Sequence, residues 1–374
     1  MRKRLVKIIL FLLIIIIGFI AGMYLKEKEK NIGFNVNKWD NMYNEGNLQL
    51  YYGAKDAAIL NDIKTKYKVD NIVSGADTEL DKAVKLMEWT RSNMKFKESS
   101  KDVDDSRGAL DILEDNRTQK EYSEKEICIV FNDFAHSVGI TSRIGELGKF
   151  EKFSSTEKSL FTICEIWSTK LNKWIMLDPS NGVYLTYNKM PLSAVEIIDK
   201  GLESLEVISV DNIKKYNKKM EKYYQVYTMQ IDNTIYSTKN SNSYLCYLSK
   251  GKNEGISANA LLKHPIIFTD DKKLFELSPK VQNRKLDKDK LPTMIFSNGN
   301  SKNVKDKEVK LQLLGGVFKD SAMVDKYYIS INNGPFNLVN NYFNLDLKSG
   351  FNSVKLSEDG KKVLKEVIFE YKDK

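Results

Sequence analysis

The hydrophobic positions of this chain fall into three patterns that follow one another along the sequence. A continuous apolar run covers residues 8–25, helical spacing dominates from about 78 to 139, and short apolar runs dominate over 140–178 and again after about 250. The first run is long enough to cross a bilayer as a helix. Spacing of three to four predicts amphipathic helices, and short runs bounded by turn residues predict strands.

The clearest helical pattern lies in residues 121–143, EYSEKEICIVFNDFAHSVGITSR. Apolar residues recur there on one helix face: Ile127, Val130, Phe131, Phe134, Ala135 and Val138. This stripe predicts a buried helix that ends at Gly139. Two helices are predicted upstream, one after a capping-box-like Thr78–Asp81 and a short one over 107–115.

Three strand-like runs follow, ITSRIGEL (140–147), LFTICEIW (160–167) and KWIMLD (173–178), and the last two predict a hairpin. A short helix is predicted over 191–199, and a basic, aromatic helix over 211–228. The lysines of the second helix could bind an anionic polymer or form the solvated face of a packed helix. We favour the packed helix, because lysines commonly occupy a solvated face.

From about residue 250 the chain becomes β-rich. Short strand-like runs alternate with turn signals: PIIFT, LFEL, TMIFS, EVKLQLL, KYYISI, YFNLDL, NSVKLS and VIFEY. Asn332, Asn333 and Gly334 suit a tight hairpin turn. These features predict a small β-sandwich at the C-terminus.

Together the elements predict an α+β protein built from five segments. They are an N-terminal cytoplasmic flank with a transmembrane anchor (1–25), a polar stalk (26–45), a mixed domain (46–205), a helical connector (206–250) and a β-rich C-terminal domain (251–374).

The N-terminal charges predict the orientation of the anchor. Arg2, Lys3, Arg4 and Lys7 precede the apolar run and are expected to stay in the cytoplasm, which places the bulk of the chain outside the cell membrane. A cleaved signal peptide is the alternative. We favour an uncleaved single-pass anchor, because residues 19–22 offer a poor cleavage site.

Charge and cysteine content narrow the possible partners. Four of the 59 basic residues flank the anchor, which leaves 55 basic against 50 acidic residues in the external part. An excess of five basic residues does not indicate a nucleic-acid partner, although it is compatible with weak attraction to an anionic wall polymer. Three cysteines do not make a disulfide scaffold, and we predict no cofactor and no metal site.

The segment from about 46 to 200 resembles the transglutaminase-like superfamily, and specifically its bacterial surface members. Three stretches carry the resemblance: the region YYGAKDAAILNDIKTKYKVDNIVSGADTELDKAVKLMEWTRSNMKF, the helix that ends in VGITSR, and the run EIWSTKLNKWIMLDPSNG. The resemblance implies a papain-like core. In that core a cysteine opens a buried helix, a histidine begins the next strand, and an aspartate ends the hairpin partner.

Two of the three catalytic positions that the resemblance implies hold other residues. Counting back from Gly139 places the cysteine position at Glu124, and counting back from Trp167 places the histidine position at Phe161. The aspartate is present as Asp178. We expect Phe161 to fill the space of the imidazole. A two-carboxylate site of Glu124 and Asp178 is a remote alternative.

A displaced thiol site is a second possibility, with Cys128 as nucleophile and His264 as base. A thiol needs a base within hydrogen-bond reach to become the reactive thiolate. His136 cannot supply it, because it lies eight residues further along the same helix, a rise of about 12 Å. Cys164 is expected on the strand face opposite Phe161.

The sequence therefore predicts a membrane-anchored protein with a degenerate, non-catalytic transglutaminase-like domain. Its expected role is to bind a protein, peptide or cell-wall component, or to give structural support at the cell surface. An active transglutaminase- or protease-like thiol enzyme is the alternative. Trp174 is a weak binding candidate, although a place in the core suits it better, and Tyr184 could line the rim of the former cleft.

Overall fold

The computed structural model describes residues 33–46, 48–54, 57–98, 103, 106–115, 121–149, 160–211, 215–250, 256, 261, 264–280, 287–299 and 311–372. These parts of the chain are α+β, as predicted. The predicted anchor (1–25) lies outside the described residues. Among the described helices, none combines the length and apolar character that a bilayer crossing demands.

Helices are most frequent in the first half of the described chain. They are α1 (Ala57–Lys66), α2 (Val69–Ile72), α3 (Glu79–Asn93), α4 (Ala109–Leu113), α5 (Glu124–Ser137), α6 (Ala194–Lys200), α7 (Tyr216–Met220) and α8 (Lys273–Glu276). Helix α3 follows the predicted capping box, in which the Thr78 side chain accepts a hydrogen bond from the backbone N–H of Asp81. Gly139 follows the end of α5 with a φ of 80°, which confirms its role as terminator.

Strands extend from residue 33 to residue 372. In chain order they are β1 (Gly33–Asp40), β2 (Tyr51–Ala54), β3 (Lys95–Phe96), β4 (Glu121–Tyr122), β5 (Ser142–Gly148), β6 (Leu160–Ser168), β7 (Lys173–Asp178), β8 (Val183–Tyr187), β9 (Met190–Pro191), β10 (Glu206–Ser209), β11 (Val226–Gln230), β12 (Asp232–Ile235), β13 (Tyr244–Leu248), β14 (Ile266–Thr269), β15 (Thr293–Asn298), β16 (Leu311–Lys319), β17 (Ala322–Met323), β18 (Lys326–Ile331), β19 (Asn337–Asn340), β20 (Tyr342–Leu347), β21 (Gly350–Ser357) and β22 (Lys365–Lys372).

A large sheet forms the centre of the molecule, in the order β10-β8-β7-β6-β5-β11-β13-β14, with β9 paired to β8. The predicted β6–β7 hairpin is confirmed, with Cys164 opposite Leu177. Helix α5 covers one face of β5, β6 and β7, where its apolar stripe packs on Cys164 and Ile166. We call this the α5-side core.

The opposite face of the same strands carries a second core. Phe161 and Ile163 of β6 pack there with Trp174 and Met176 of β7. Helix α6 and the aromatic residues of the segment 216–227 cover them. We call this the α6-side core.

Two further sheets enclose a third core at the C-terminal end of the chain. One has the order β1-β22-β21-β18-β19, and the other joins β15, β16 and β17 with β20 paired to β16. Their inner residues share one cluster, which includes Phe34, Phe296, Leu345 and Phe369. The predicted hairpin turn joins β18 to β19, with positive φ at Asn332 and Asn333.

The prediction of a polar stalk over 26–45 is wrong for residues 33–45, the part of it that the structure describes. Residues 33–40 form β1, which pairs antiparallel with β22, the last strand of the chain. Phe34 and Trp39 lie buried in the C-terminal core. The surrounding polar residues obscured this strand, because alternation with only two large apolar anchors is a weak signal.

The helical connector predicted over 206–250 is also corrected. Helix α7 continues only as a short 3₁₀ turn to Tyr223, and β10, β11, β12 and β13 occupy most of the remainder. Strand β11 lies in the middle of the large sheet, between β5 and β13. The run LFEL, predicted as a strand, forms most of α8. A run of only four residues is too short to reveal its period.

Candidate functional site

The three positions at which the transglutaminase-like resemblance would imply a catalytic triad lie in buried surroundings. Glu124 is the first residue of α5, which begins at the capping residue Ser123. Phe161 lies near the start of β6, and Asp178 ends β7. All three side chains are buried, and Asp178 has no exposed surface. We call these residues the triad-equivalent region.

Asp178 is held in a network of hydrogen-bond donors. Its Oδ1 accepts the backbone N–H of Asn181 at 3.0 Å, and its Oδ2 accepts the Asn181 amide at 2.7 Å and the Tyr216 hydroxyl at 3.0 Å. Tyr216 is in turn 2.9 Å from the Tyr224 hydroxyl. Burial raises the pKa of Asp178 to about 6 despite these bonds.

Phe161 lies in an aromatic cluster. Its ring lies 5.6 Å from Tyr223 and 6.4 Å from Phe96, measured between centroids. Tyr223 immediately precedes Tyr224, so the cluster joins the hydrogen-bond network of Asp178 through the chain. Cys164 belongs to the other core, which confirms that it faces away from Phe161.

Cys128 is a buried thiol that donates a hydrogen bond to backbone. Its Sγ lies 3.5 Å from the Thr162 carbonyl, and the Cys164 thiol donates to the Cys128 carbonyl at 3.5 Å. Burial raises the pKa of Cys128 well above its ordinary value, and the neighbouring Cys164, Asp178 and Glu124 raise it further. This environment favours the thiol over the reactive thiolate.

The structure gives both histidines of the chain other contacts. His264 stacks on Tyr244 at 3.9 Å between centroids, and its Nε2 lies 3.8 Å from Glu146. His136 Nε2 lies 3.0 Å from the Ser142 carbonyl. Among the described residues no hydrogen bond joins Cys128 to either histidine, so the displaced thiol pair is not assembled here.

Of the two binding candidates from the sequence, Trp174 is buried and Tyr184 is half-buried. Trp174 is buried in the α6-side core, and its indole N–H donates to the Leu277 carbonyl at 2.9 Å. Trp174 is therefore a core residue and cannot contact a ligand in this structure. Tyr184 is half-buried against the α5-side core.

An ionic cluster that was not predicted lies beside Trp174, whose ring centroid is 3.9 Å from the guanidinium carbon of Arg143. Arg143, the last residue of VGITSR, makes two contacts of 2.8 and 2.6 Å to Glu165, and both side chains are fully buried. Glu165 also accepts the Tyr227 hydroxyl at 2.7 Å and the Ala194 N–H of α6 at 2.9 Å. The partners of Glu165 come from β5, β11 and α6, so the cluster joins three strands of the large sheet to α6.

A cavity of about 490 Å³ opens on the α5 side of the large sheet. We call it the polar cavity. Its walls come from residues 106–108, α5, β5, β6, β11, the segment 233–239 and β13, and the side chains with polar groups include Asn132, Asp133, Glu146, Thr162, Tyr236 and His264. Its volume lies within the range of small-molecule sites.

Asp133 anchors one wall of the polar cavity. Its carboxylate accepts the Ala109 N–H at 2.8 Å and the hydroxyl of Tyr236. Burial raises the pKa of Asp133 to about 6, although these donors oppose the shift. The adjacent Asn132 is nearly fully buried, and its Oδ1 has no hydrogen-bond partner among the described residues.

Sequence reasoning missed the polar cavity because its residues are scattered from 106 to 264. One local signal exists: two polar residues, Asn132 and Asp133, interrupt the apolar middle of α5 and are nevertheless buried. Buried polar side chains normally have partners, so this pair could have indicated a site. Among the described residues, no cluster of three or more histidine, cysteine or acidic side chains could hold a metal ion.

Comparisons with known proteins leave the chain unassigned. No family model matches it, and no curated protein does. One solved structure, described as a "putative protease" from Parabacteroides distasonis ATCC 8503, aligns with 41% of this chain and 28% of its own at 14% identity and a TM-score of 0.24. A similarity of that size supports no inference about fold or activity.

Proposed function

We propose that this chain is a membrane-anchored extracytoplasmic protein with a degenerate transglutaminase-like domain, which binds a ligand or partner at the cell surface without catalysing a reaction. One observation carries the proposal. The positions that would hold the cysteine and the histidine hold Glu124 and Phe161, and Asp178 is fully buried among tyrosines. No nucleophile and base are paired at those positions.

The chemistry of acyl transfer supports the same conclusion. A cysteine enzyme needs a thiolate, a base in contact with it and access for a carbonyl substrate. Cys128 is buried, its pKa is raised, and its thiol donates to the Thr162 carbonyl. Each of these features opposes nucleophilic attack.

The location at the cell surface is proposed from the sequence. Residues 8–25 are uncharged and follow a basic flank, the arrangement of an N-terminal anchor whose following chain is exported. A binding role suits a folded domain held outside a membrane. The domain resemblance to the transglutaminase-like superfamily remains part of the proposal.

The test measures thiol-dependent activity in the full-length chain. Incorporation of a fluorescent amine into casein and casein hydrolysis would be followed for the native protein, Cys128→Ala and the matched control Cys246→Ala. Cys246 is also buried, in β13. We expect no activity in any of the three, and slow alkylation of Cys128 by iodoacetamide unless urea is present.

Activity that disappears in Cys128→Ala and survives in Cys246→Ala would overturn the proposal. Loss in His264→Ala as well would establish the displaced thiol enzyme in its place. Activity that instead requires both Glu124 and Asp178 would indicate a two-carboxylate site.

A further inference from the structure

We infer that the polar cavity is a binding site for a small neutral saccharide of one or two rings. This inference rests on the proposed function, because it assigns the binding role to a particular site. The polar cavity is separate from the triad-equivalent residues Phe161 and Asp178, which face the other side of the sheet.

The floor of the polar cavity is a row of polar side chains across three neighbouring strands. Glu146 of β5 lies opposite Thr162 of β6 on one side and opposite Thr228 of β11 on the other. All three are buried residues on the face of the sheet that α5 covers. The next row, Ile144 and Cys164, is apolar and packs against the α5-side core. A polar row at the floor of a cavity offers donors and acceptors to a polar ligand.

The wall opposite this floor carries an unsatisfied acceptor. The Asn132 Oδ1 is buried without a partner among the described residues, and a buried acceptor left in that state costs on the order of 1–3 kcal/mol. Ser237, which also lines the cavity, has a buried hydroxyl oxygen in the same condition. Both oxygens can accept hydrogen bonds from the hydroxyl or amide groups of a ligand.

The remaining wall is held by contacts between its own side chains. The Tyr236 hydroxyl donates a hydrogen bond to Asp133. Residue 108 must be small for this contact, because a Cβ on Gly108 would lie 2.5 Å from the Tyr236 hydroxyl oxygen. Tyr244 and His264 form a stacked aromatic pair on the wall. Flat aromatic surfaces can pack against the C–H face of a sugar ring.

The charges around the polar cavity favour a neutral ligand. Arg107, Lys125, Arg143 and Lys239 line it together with the carboxyl-bearing Asp133 and Glu146, and the charge of Arg143 is already paired with the buried Glu165. An anion would meet the carboxylates, and a cation would meet the basic groups, so neither gains a field of one sign. Hydroxyl groups, in contrast, can donate to Asn132 and accept from neighbouring donors.

The experiment measures saccharide binding to the full-length chain by isothermal titration calorimetry. The detergent must lack a sugar headgroup, since a glucoside or maltoside would compete for the site. The probes are N,N′-diacetylchitobiose and cellobiose, with triglycine and inorganic phosphate for comparison. We expect at least one disaccharide to bind, and neither triglycine nor phosphate to do so.

Two substitutions test the location of the site, and one serves as the matched control. Asn132→Leu removes the unsatisfied acceptor, and Thr162→Val removes one hydroxyl from the floor. Each should weaken binding about tenfold, the usual consequence of a lost hydrogen bond. Thr186→Val is the control, because Thr186 is also buried in the large sheet but pairs with Glu206 away from the cavity. It should leave binding unchanged.

The outcomes separate this inference from the proposed function. No binding by either disaccharide, equal weakening by Thr186→Val, or preferential binding of triglycine or phosphate would each overturn the saccharide site. A silent thiol assay would leave the proposed non-catalytic role standing in all of those cases. Thiol activity lost in Cys128→Ala would overturn the proposed function, whatever the binding result.

Discussion

Phe161 and Thr162 are consecutive residues of β6, yet they face two regions of opposite character. Phe161 lies in the sealed triad-equivalent region, where aromatic rings fill the space and Asp178 has donors on both oxygens. Thr162 faces the polar cavity, where space remains and the Asn132 Oδ1 has no described partner. The difference teaches that a sequence resemblance indicates which positions to inspect, whereas unfilled volume and unsatisfied polar atoms indicate where a ligand can bind.

Replacement of Arg143 by methionine should have the largest effect on this comparison, because Arg143 lines the polar cavity while its partner Glu165 accepts from α6 on the other face of the sheet. Arg143→Met leaves the buried Glu165 without its cation, and should lower the free energy of unfolding by about 3–5 kcal/mol. The double variant Arg143→Met/Glu165→Leu should recover part of that loss, because it removes the unpaired charge but leaves the Tyr227 hydroxyl and the Ala194 N–H without their acceptor. Urea unfolding measures both, and an equally unstable double variant would contradict this account.

The second prediction uses the two buried aspartates, one in each region. The folded pKa of Asp178 and of Asp133 is about 6, above the ordinary value of an aspartate, so the folded state holds these protons more tightly than the unfolded state does. The resulting stabilisation is complete below about pH 4 and is lost as the pH rises through about 6. The free energy of unfolding should therefore fall over this range, by up to about 3 kcal/mol for each group.

Asp133→Asn and Asp178→Asn should each flatten part of this pH dependence. A ligand in the polar cavity should change the contribution of Asp133 to the pH dependence of the free energy of unfolding, and it should leave the contribution of Asp178 unaltered. Unfolding curves at several pH values, with and without a disaccharide, measure both effects. If the ligand still alters the pH dependence of the free energy of unfolding in Asp133→Asn, the ligand binds elsewhere.

The third prediction places a histidine at position 161, where the transglutaminase-like resemblance would imply one. Phe161→His puts a polar imidazole among Phe96 and Tyr223 and should destabilise the fold by about 2 kcal/mol. It should not create thiol activity, because residue 161 faces the α6-side core and Cys128 packs in the α5-side core. Casein hydrolysis by this variant would show that the two positions can act together.

The smallest effect on stability is expected from Thr162→Val. The substitution keeps the shape of the side chain, and the Thr162 carbonyl that accepts from Cys128 belongs to the backbone. The free energy of unfolding should change by no more than about 1 kcal/mol. The variant should thus separate binding from folding, which denaturant unfolding and calorimetry can compare directly.

Much of the first domain could be predicted because its signals are local. The apolar stripe of α5, its terminator Gly139 and the capping box before α3 each lie within a few turns of chain. The β6–β7 hairpin has an equally local cause, since a short turn joins two apolar runs. In contrast, β1 and β11 were missed, because both depend on partners distant in sequence.

The candidate site divides in the same way. Sequence counting identified Glu124, Phe161 and Asp178 as the positions to inspect, and it anticipated that Cys164 faces away from Phe161. It proposed His264 for Cys128, whereas the structure stacks His264 on Tyr244 beside Glu146. Neither residue type nor spacing could reveal this, since β5 and residue 264 meet only through the folding of β11, β13 and β14.

The sequence by itself determined which residues stand at positions 124, 161 and 178, and it determined the periodic elements that carry them. Only the tertiary structure decided which polar groups are satisfied. Asp178 and Asn132 both look like buried polar residues next to apolar neighbours, yet one meets Tyr216 and Asn181 while the other meets a cavity. The physical reason is that hydrogen-bond satisfaction and empty volume are set by side chains that arrive from distant parts of the chain.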